Sequence, residues 1–243
     1  MLEVLETNAT RSVPSVRLFE LAKVFIPREN VVTNIHGLEG TLPEERQKIV
    51  LGTYGSGNDF YTLKGTVESL IDSAGIKNVR FVANKEFSVM HPGRCADVYI
   101  NDVKLGTFGE LNPTAAKNYT FSSRVYLAEL DLQTLFENIQ KSEKYSQLPK
   151  YPAITRDFSF VCSEETAAGD LAETIKNCDK TLIEKIELFD VFRGGQIAPG
   201  MKSLSFSVTL RAKDHTLTVE EADRISRKII SAASFKHGAE IRS

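Results

Sequence analysis

No run of apolar residues in this sequence approaches the roughly 18 needed to span a bilayer. No two cysteines stand in C-x-x-C spacing. The three present, Cys95, Cys162 and Cys178, are far apart and odd in number, which argues against a zinc site and a disulfide framework. They read as reduced thiols of a cytosolic protein. No charge of one sign dominates: the formal net charge is -2. The whole chain is therefore no obvious polyanion binder, although a global balance can hide a local patch. A secretory signal is missing too. Met1–Glu6 has neither a basic flank nor an apolar stretch. It reads as part of a helix, which puts Met1 inside an element, as in a piece cut from a longer protein.

What is present is ordinary globular composition, with 42% apolar and 26% charged residues among 243. That length suits one large domain or two ordinary ones, each able to bury a core. The polar stretch 141–153, KSEKYSQLPKYPA, carries two prolines and marks a boundary near residue 148. The domains are thus 1–148 and 149–243.

The first domain is predicted as α+β with an antiparallel sheet. A helix covers residues 1 to about 10, and Arg17–Ile26 is apolar enough for a buried strand. Residues 27–46 are polar and irregular, and 48–53 is a strand. Val67, Leu70, Ile71 and Ala74 share one helical face, which Gly75 ends. Strands follow at 78–83, 95–101 and 104–111, with Asn101-Asp102 in the last turn. Asn112-Pro113 opens a short helix, 124–130 is a strand and 132–140 a helix.

The second domain reads strand 156–162, helix 167–178, strands 183–192 and 202–213, helix 218–235 and strand 239–243. That β-α-β-β-α-β order is the ferredoxin-like plan. Thr218 and Glu221 form a capping box, and Val219, Ala222, Ile225 and Ile229 make an apolar stripe. The preceding strand alternates. Leu204, Phe206, Val208 and Leu210 face the helices; Ser203, Ser205, Ser207 and Thr209 form an open polar face.

Candidate chemistry is sparse. Tyr54-Gly55-Ser56-Gly57 lacks the lysine and hydroxyl that a phosphate loop places after its last glycine, so it reads as a connection. His91-Pro92-Gly93-Arg94 reads as a turn before a strand, and the other histidines are equally isolated. Asp157 and Asp190 read as strand-edge hydrogen-bonding groups or as ion-pair partners of Arg156 or Arg193. The stretch 191–213 stands out: it holds Arg193, Lys202, Arg211 and Lys213 and no acidic residue. A four-stranded sheet with a free face and basic margins can meet single-stranded nucleotides. The face shows no run of aromatics, so stacking rests on few residues.

Several stretches carry a family resemblance. Asp59–Gly65 with the following helix, His91–Ala96, Leu105–Pro113 and Arg17–Phe25 resemble the catalytic-like module of bacterial-type phenylalanyl-tRNA synthetase β subunits. Tyr151–Asp157, Leu188–Phe192, Lys202–Leu204, Thr216–Thr218 and Ile241-Arg242 resemble the ferredoxin-fold anticodon-binding domain that ends those subunits. The pieces cover nearly the whole chain in the expected order.

The resemblance implies a class II synthetase-like module without catalytic residues, packed against the α subunit that binds ATP and phenylalanine. No G-x-G-x-x-x-E-R stretch is present to supply the arginines such a site needs. It implies a whole enzyme of two α and two β chains in the cytoplasm that uses ATP and Mg2+, with no cofactor or metal in this segment and no membrane partner. The family's N-terminal tRNA-binding and editing domains have no room here, so the chain looks like an excised C-terminal piece. The last domain is expected to contact the anticodon region of tRNA-Phe. Arg156, Lys202, Arg211 and Arg242 lie on matching segments; Arg193 and Lys213 are added from charge alone. These would hold phosphates in a salt-sensitive way, with Ser203, Ser205 and Ser207 leaving room for bases. The competing readings are a stand-alone RNA-binding adaptor built from the same folds and an enzyme that activates an amino acid by itself.

Overall fold

The computed structural model describes residues 1–28, 42–139 and 148–242. The chain forms two compact units, Met1–Lys144 and Tyr145–Ser243. The predictions for 29–41 and for 140–147 lie outside the described residues.

The first unit holds α1 (Leu2–Thr10), β1 (Ser15–Ile26), β2 (Glu44–Gly55), α2 (Phe60–Ser73), β3 (Val79–Ala83), β4 (Met90–Ile100), β5 (Val103–Leu111), α3 (Pro113–Ala116), β6 (Val125–Asp131) and α4 (Leu132–Glu137). The strands make one antiparallel sheet in the order β1-β2-β6-β5-β4-β3. The Asp59 carboxylate starts α2 by accepting the Thr62 N–H at 2.6 Å, a cap worth about 1 kcal/mol. Leu63, Val67 and Ile71 then bury the predicted face against Val98, Phe108, Ala128 and Leu130 of the sheet. Gly75 follows with φ of +69°, where a side chain would be strained. On the opposite face, Leu5 of α1 is fully buried and belongs to a smaller core with Tyr54, Met90, Cys95 and Leu127. Strands β5 and β6 approach so closely at Gly106 that a Cβ there would strike the Glu129 carbonyl.

Two expectations for this unit change. Arg17–Ile26 is a strand, but not a buried one: Phe19, Leu21 and Phe25 are each at least 60% exposed. The reason is position. β1 is the outermost strand, paired only with β2. His91–Arg94 does not precede a strand but lies inside β4, in an irregularity between Met90 and Cys95 where the pairing with β5 shifts. The Gly93 N–H donates to His91 Nδ1 at 3.0 Å there.

The second unit runs β7 (Ile154–Ser163), α5 (Ala168–Lys176), β8 (Ile183–Phe192), β9 (Met201–Leu210), α6 (Val219–His237) and β10 (Glu240–Ile241). Its antiparallel sheet has the order β10-β7-β9-β8, which is the ferredoxin-like β-α-β-β-α-β plan. Phe160, Leu204, Phe206, Val208 and Leu210 meet Leu171 and Ile175 of α5 and Ala222, Ile225 and Ile229 of α6 in one core. The capping box is present: Thr218 Oγ1 accepts from the Glu221 N–H, and Glu221 accepts from the Thr218 N–H. Val219, expected in the apolar stripe, is instead 58% exposed, because it is the first residue of α6 and lies off the buried face.

Candidate nucleic-acid interface

Side chains of β9 alternate as predicted, so the polar face of the second sheet can be read from its register. Ser203 sits between Val161 of β7 and Phe192 of β8; Ser205 sits between Ser159 and Asp190. The face is not open at this end. Ser203 is wholly buried and Ser205 nearly so. Ser159 and Ser205 share a hydrogen bond of 2.8 Å. Arg242, after β10, lays its guanidinium 5.1 Å from the Phe192 ring centroid. Those two residues rise from opposite margins of the sheet, so their contact bridges the serines beneath.

Two features of this spot call for a ligand. Among the described residues the buried Ser203 hydroxyl has no hydrogen-bond partner, which costs on the order of 1–3 kcal/mol. Arg242 has no carboxylate partner among the described residues and is held by a cation–π contact worth about 0.5–1 kcal/mol where exposed. An aromatic plane, an exposed guanidinium and an unsatisfied hydroxyl can together receive a base and its phosphate.

The other predicted cations are placed differently. Arg156 of β7 pairs with Val208 of β9, so it lies on the helix side of the sheet, and it binds Asp223 of α6 at 3.1 Å. Lys202 pairs with Cys162 on that same side; it is buried and donates to the Glu164 carbonyl at 2.8 Å. Arg193 is tied to Glu164 at 2.8 Å. Arg211 is tied to Glu184 at 2.9 Å and donates to the Tyr151 carbonyl at 2.6 Å. Lys213 is exposed after β9. The structure thus brings only Arg242 over the serines. The partners expected for Asp157 and Asp190 are also corrected, since Arg156 and Arg193 take Asp223 and Glu164 instead.

Sequence reasoning missed Phe192. Simple alternation from Ile186 and Leu188 puts it among the core residues. A register shift between Leu188 and Asp190 inserts one extra residue, Phe189. That β-bulge moves Asp190 and Phe192 to the polar face. The only available signal was the aromatic-rich run Leu188–Phe192 itself.

The polar face of the first sheet contrasts with this. A cleft there is lined by Arg46, Lys48, Lys104, Glu129 and Asp131, beside Phe87 and Val89. Each of its three cations is already paired. Asp131, buried, receives Lys48 at 3.3 Å and Arg46 at 3.4 Å and caps α4 through the Thr134 N–H at 2.9 Å. Burial alone would raise the Asp131 carboxyl; the bonds from Thr134, Lys48 and Arg46 outweigh it and hold it below the ordinary range. Asp97 is also set low against its burial, by Thr107 at 2.6 Å, Lys104 at 2.9 Å and Asn84 at 3.1 Å. On the other side of the sheet, where its partner Tyr126 joins the α2 core, buried Glu110 is forked by Arg94 at 2.5 and 3.1 Å. Among the described residues lining this cleft, no cation is left over to clamp a polyphosphate. Burial also pushes the Cys95 thiol up to about 11, far from a nucleophile's range. No helix among the described residues is long and apolar enough to cross a membrane.

An antiparallel α+β module followed by a ferredoxin-fold domain is the class these features define. The comparisons agree with both halves. Residues 1–132 match the family described as phenylalanyl tRNA synthetase beta chain CLM domain, and residues 149–242 match the ferredoxin-fold anticodon binding domain. The phenylalanine–tRNA ligase beta subunit of Clostridium acetobutylicum is 38% identical over 242 residues, that of Clostridium tetani 36% over 242, and that of Bacillus cereus 32% over 253. All of this chain is covered in each, but only 29–30% of the relative. The chain belongs to the phenylalanyl-tRNA synthetase β-chain family, as the sequence resemblance implied. The stand-alone adaptor is not favoured, since these relatives are all named as ligase subunits.

Proposed function

We propose that this chain serves within a phenylalanine–tRNA ligase, an enzyme of two α and two β chains that charges tRNA-Phe in the cytoplasm using ATP and Mg2+. Residues 1–148 act as the non-catalytic module that packs on the α subunit. The exposed apolar side chains of edge strand β1 support this, because a long bare edge needs a cover. Residues 149–243 bind the anticodon region of the tRNA.

One observation carries the RNA assignment: Arg242 stacked on Phe192 over the unpartnered Ser203 hydroxyl. The bound nucleotide would displace the guanidinium toward a phosphate, free the ring for a base and satisfy the serine. Arg156, Lys202, Arg193 and Arg211 then act mainly by fixing strands and loops, and Lys213 is left as an accessory phosphate contact.

Titration with a tRNA-Phe anticodon stem-loop and a scrambled-loop control tests this. Arg242→Ala with Phe192→Ala is expected to weaken the cognate loop by about tenfold or more, the size of a lost stacking and charged contact, and to erase the preference over the control. Unchanged selectivity in that double variant would overturn the assignment.

A further inference from the structure

The outer face of α6 plays no part in that reading. Arg224, Arg227, Lys228, Ser231 and Phe235 recur at spacings of three and four, which puts them on one side of the helix. With Ala232 they line one shallow surface. The buried side of α6 is made instead by Ala222, Ile225, Ile229 and Ala233. From Arg224 to Ala239 the chain has no carboxylate at all.

The charge state of this face sets it apart. None of Arg224, Arg227 and Lys228 has a carboxylate partner among the described residues, whereas Arg156, Arg193 and Arg211 each have one. Lys228 acts on Asp179 only at longer range, and that carboxylate is already taken by Thr181 and Leu182. At the end of the row Phe235 is 90% exposed. Ser231 and Ala232, between the cations and the ring, are small enough to let a chain lie close.

We propose that this face is a second RNA-binding surface, taking a phosphate backbone along Arg224, Arg227 and Lys228 and stacking an unpaired base on Phe235. The buried side of α6 packs on the sheet, so this face looks away from the spot formed by Arg242 and Phe192. The inference goes beyond the anticodon contact and does not depend on it. An acidic protein groove fits the charge but not the apolar content. A protein interface needs a dry apolar centre depleted of charge, and Phe235 here is flanked along the helix by exposed Ser231, Ser234 and Lys236. Cations that track a backbone and end on a lone aromatic suit a single strand.

The test uses the full chain with Arg224→Glu, Arg227→Glu and Lys228→Glu together, all at exposed positions, titrated against a labelled unstructured oligoribonucleotide over a salt series. Affinity at low salt is expected to fall by about tenfold or more, and the log–log salt slope to shrink by about 2, as three lost phosphate contacts require. Phe235→Ala should weaken the same RNA without changing the slope. Unchanged affinity and slope in the triple variant, with an unchanged thermal melt, would overturn the proposal. If the triple variant binds normally while Arg242→Ala with Phe192→Ala does not, this inference fails and the anticodon reading stands. The reverse pattern leaves this one standing alone. A benzophenone amino acid replacing Ser231, irradiated in the assembled enzyme with tRNA, gives a second readout should the triple variant misfold. A crosslink to RNA supports the proposal; a crosslink only to polypeptide overturns it in favour of an acidic protein surface.

Discussion

The two sheets of this chain each expose a polar face, and they treat charge in opposite ways. On the first, Arg46, Lys48 and Lys104 are each bound to a carboxylate, and Asp97 and Asp131 are nearly buried. On the second, among the described residues, a buried hydroxyl has no partner and the Arg242 guanidinium has a ring contact but no carboxylate. A saturated network specifies structure, because every group is satisfied within the fold. An unsatisfied one stores a cost that a ligand can remove. The contrast separates a face that holds its module together from the face that the proposed function assigns to RNA.

Breaking the saturated side should have the larger effect. Asp131→Ala removes the shared partner of Arg46 and Lys48 and the cap of α4 together. We expect a loss of about 2–4 kcal/mol in denaturant unfolding of the first unit, below a fully buried pair because Arg46 and Lys48 keep water access. A change under about 0.5 kcal/mol would mean that the network is ornamental.

On the unsatisfied side the sign should reverse. Ser203→Ala removes a buried hydroxyl that has no partner among the described residues, so stability is expected to hold or rise by up to about 1 kcal/mol, while the anticodon stem-loop binds more weakly. Equal losses of stability and binding would show that Ser203 is satisfied within the fold after all.

The smallest effect concerns pH. His215 bonds Asp214 at 2.8 Å and Glu221 at 3.2 Å, and these raise its imidazole above the ordinary value. Its folded value exceeds the unfolded one, so its contribution is fully present below the ordinary imidazole range and fades as pH rises through the folded value. The group is fully exposed, so the change is small. A proton NMR titration of His215 should give a midpoint above 6.5, and His215→Gln should abolish that pH dependence in the melting of α6.

Much of the fold was legible in the residues. The apolar spacing of Val67, Leu70 and Ile71, the Thr218/Glu221 box and the alternation from Ser203 to Leu210 are local signals, each read within one element. The candidate site was legible only in part. Arg242 was named, but Arg156 and Lys202 were grouped with it although they point to the helix side, because charge in a sequence carries no face. Phe192 was passed over because a bulge is invisible to a two-residue period.

The sequence by itself determined the order of elements, the ferredoxin-like plan, the antiparallel character of the first sheet and the family. Those follow from periodicity, caps and motifs, which need no distant partner. Only the tertiary structure decided which side chains share a face. A one-residue shift between Leu188 and Asp190 turns Phe192 outward, and an edge position leaves β1 bare. It also decided which charges are spent: pairs such as Arg211 with Glu184 and Arg156 with Asp223 join residues 27 and 67 positions apart. Coulomb attraction acts through space, and the chain alone does not say which charges will meet.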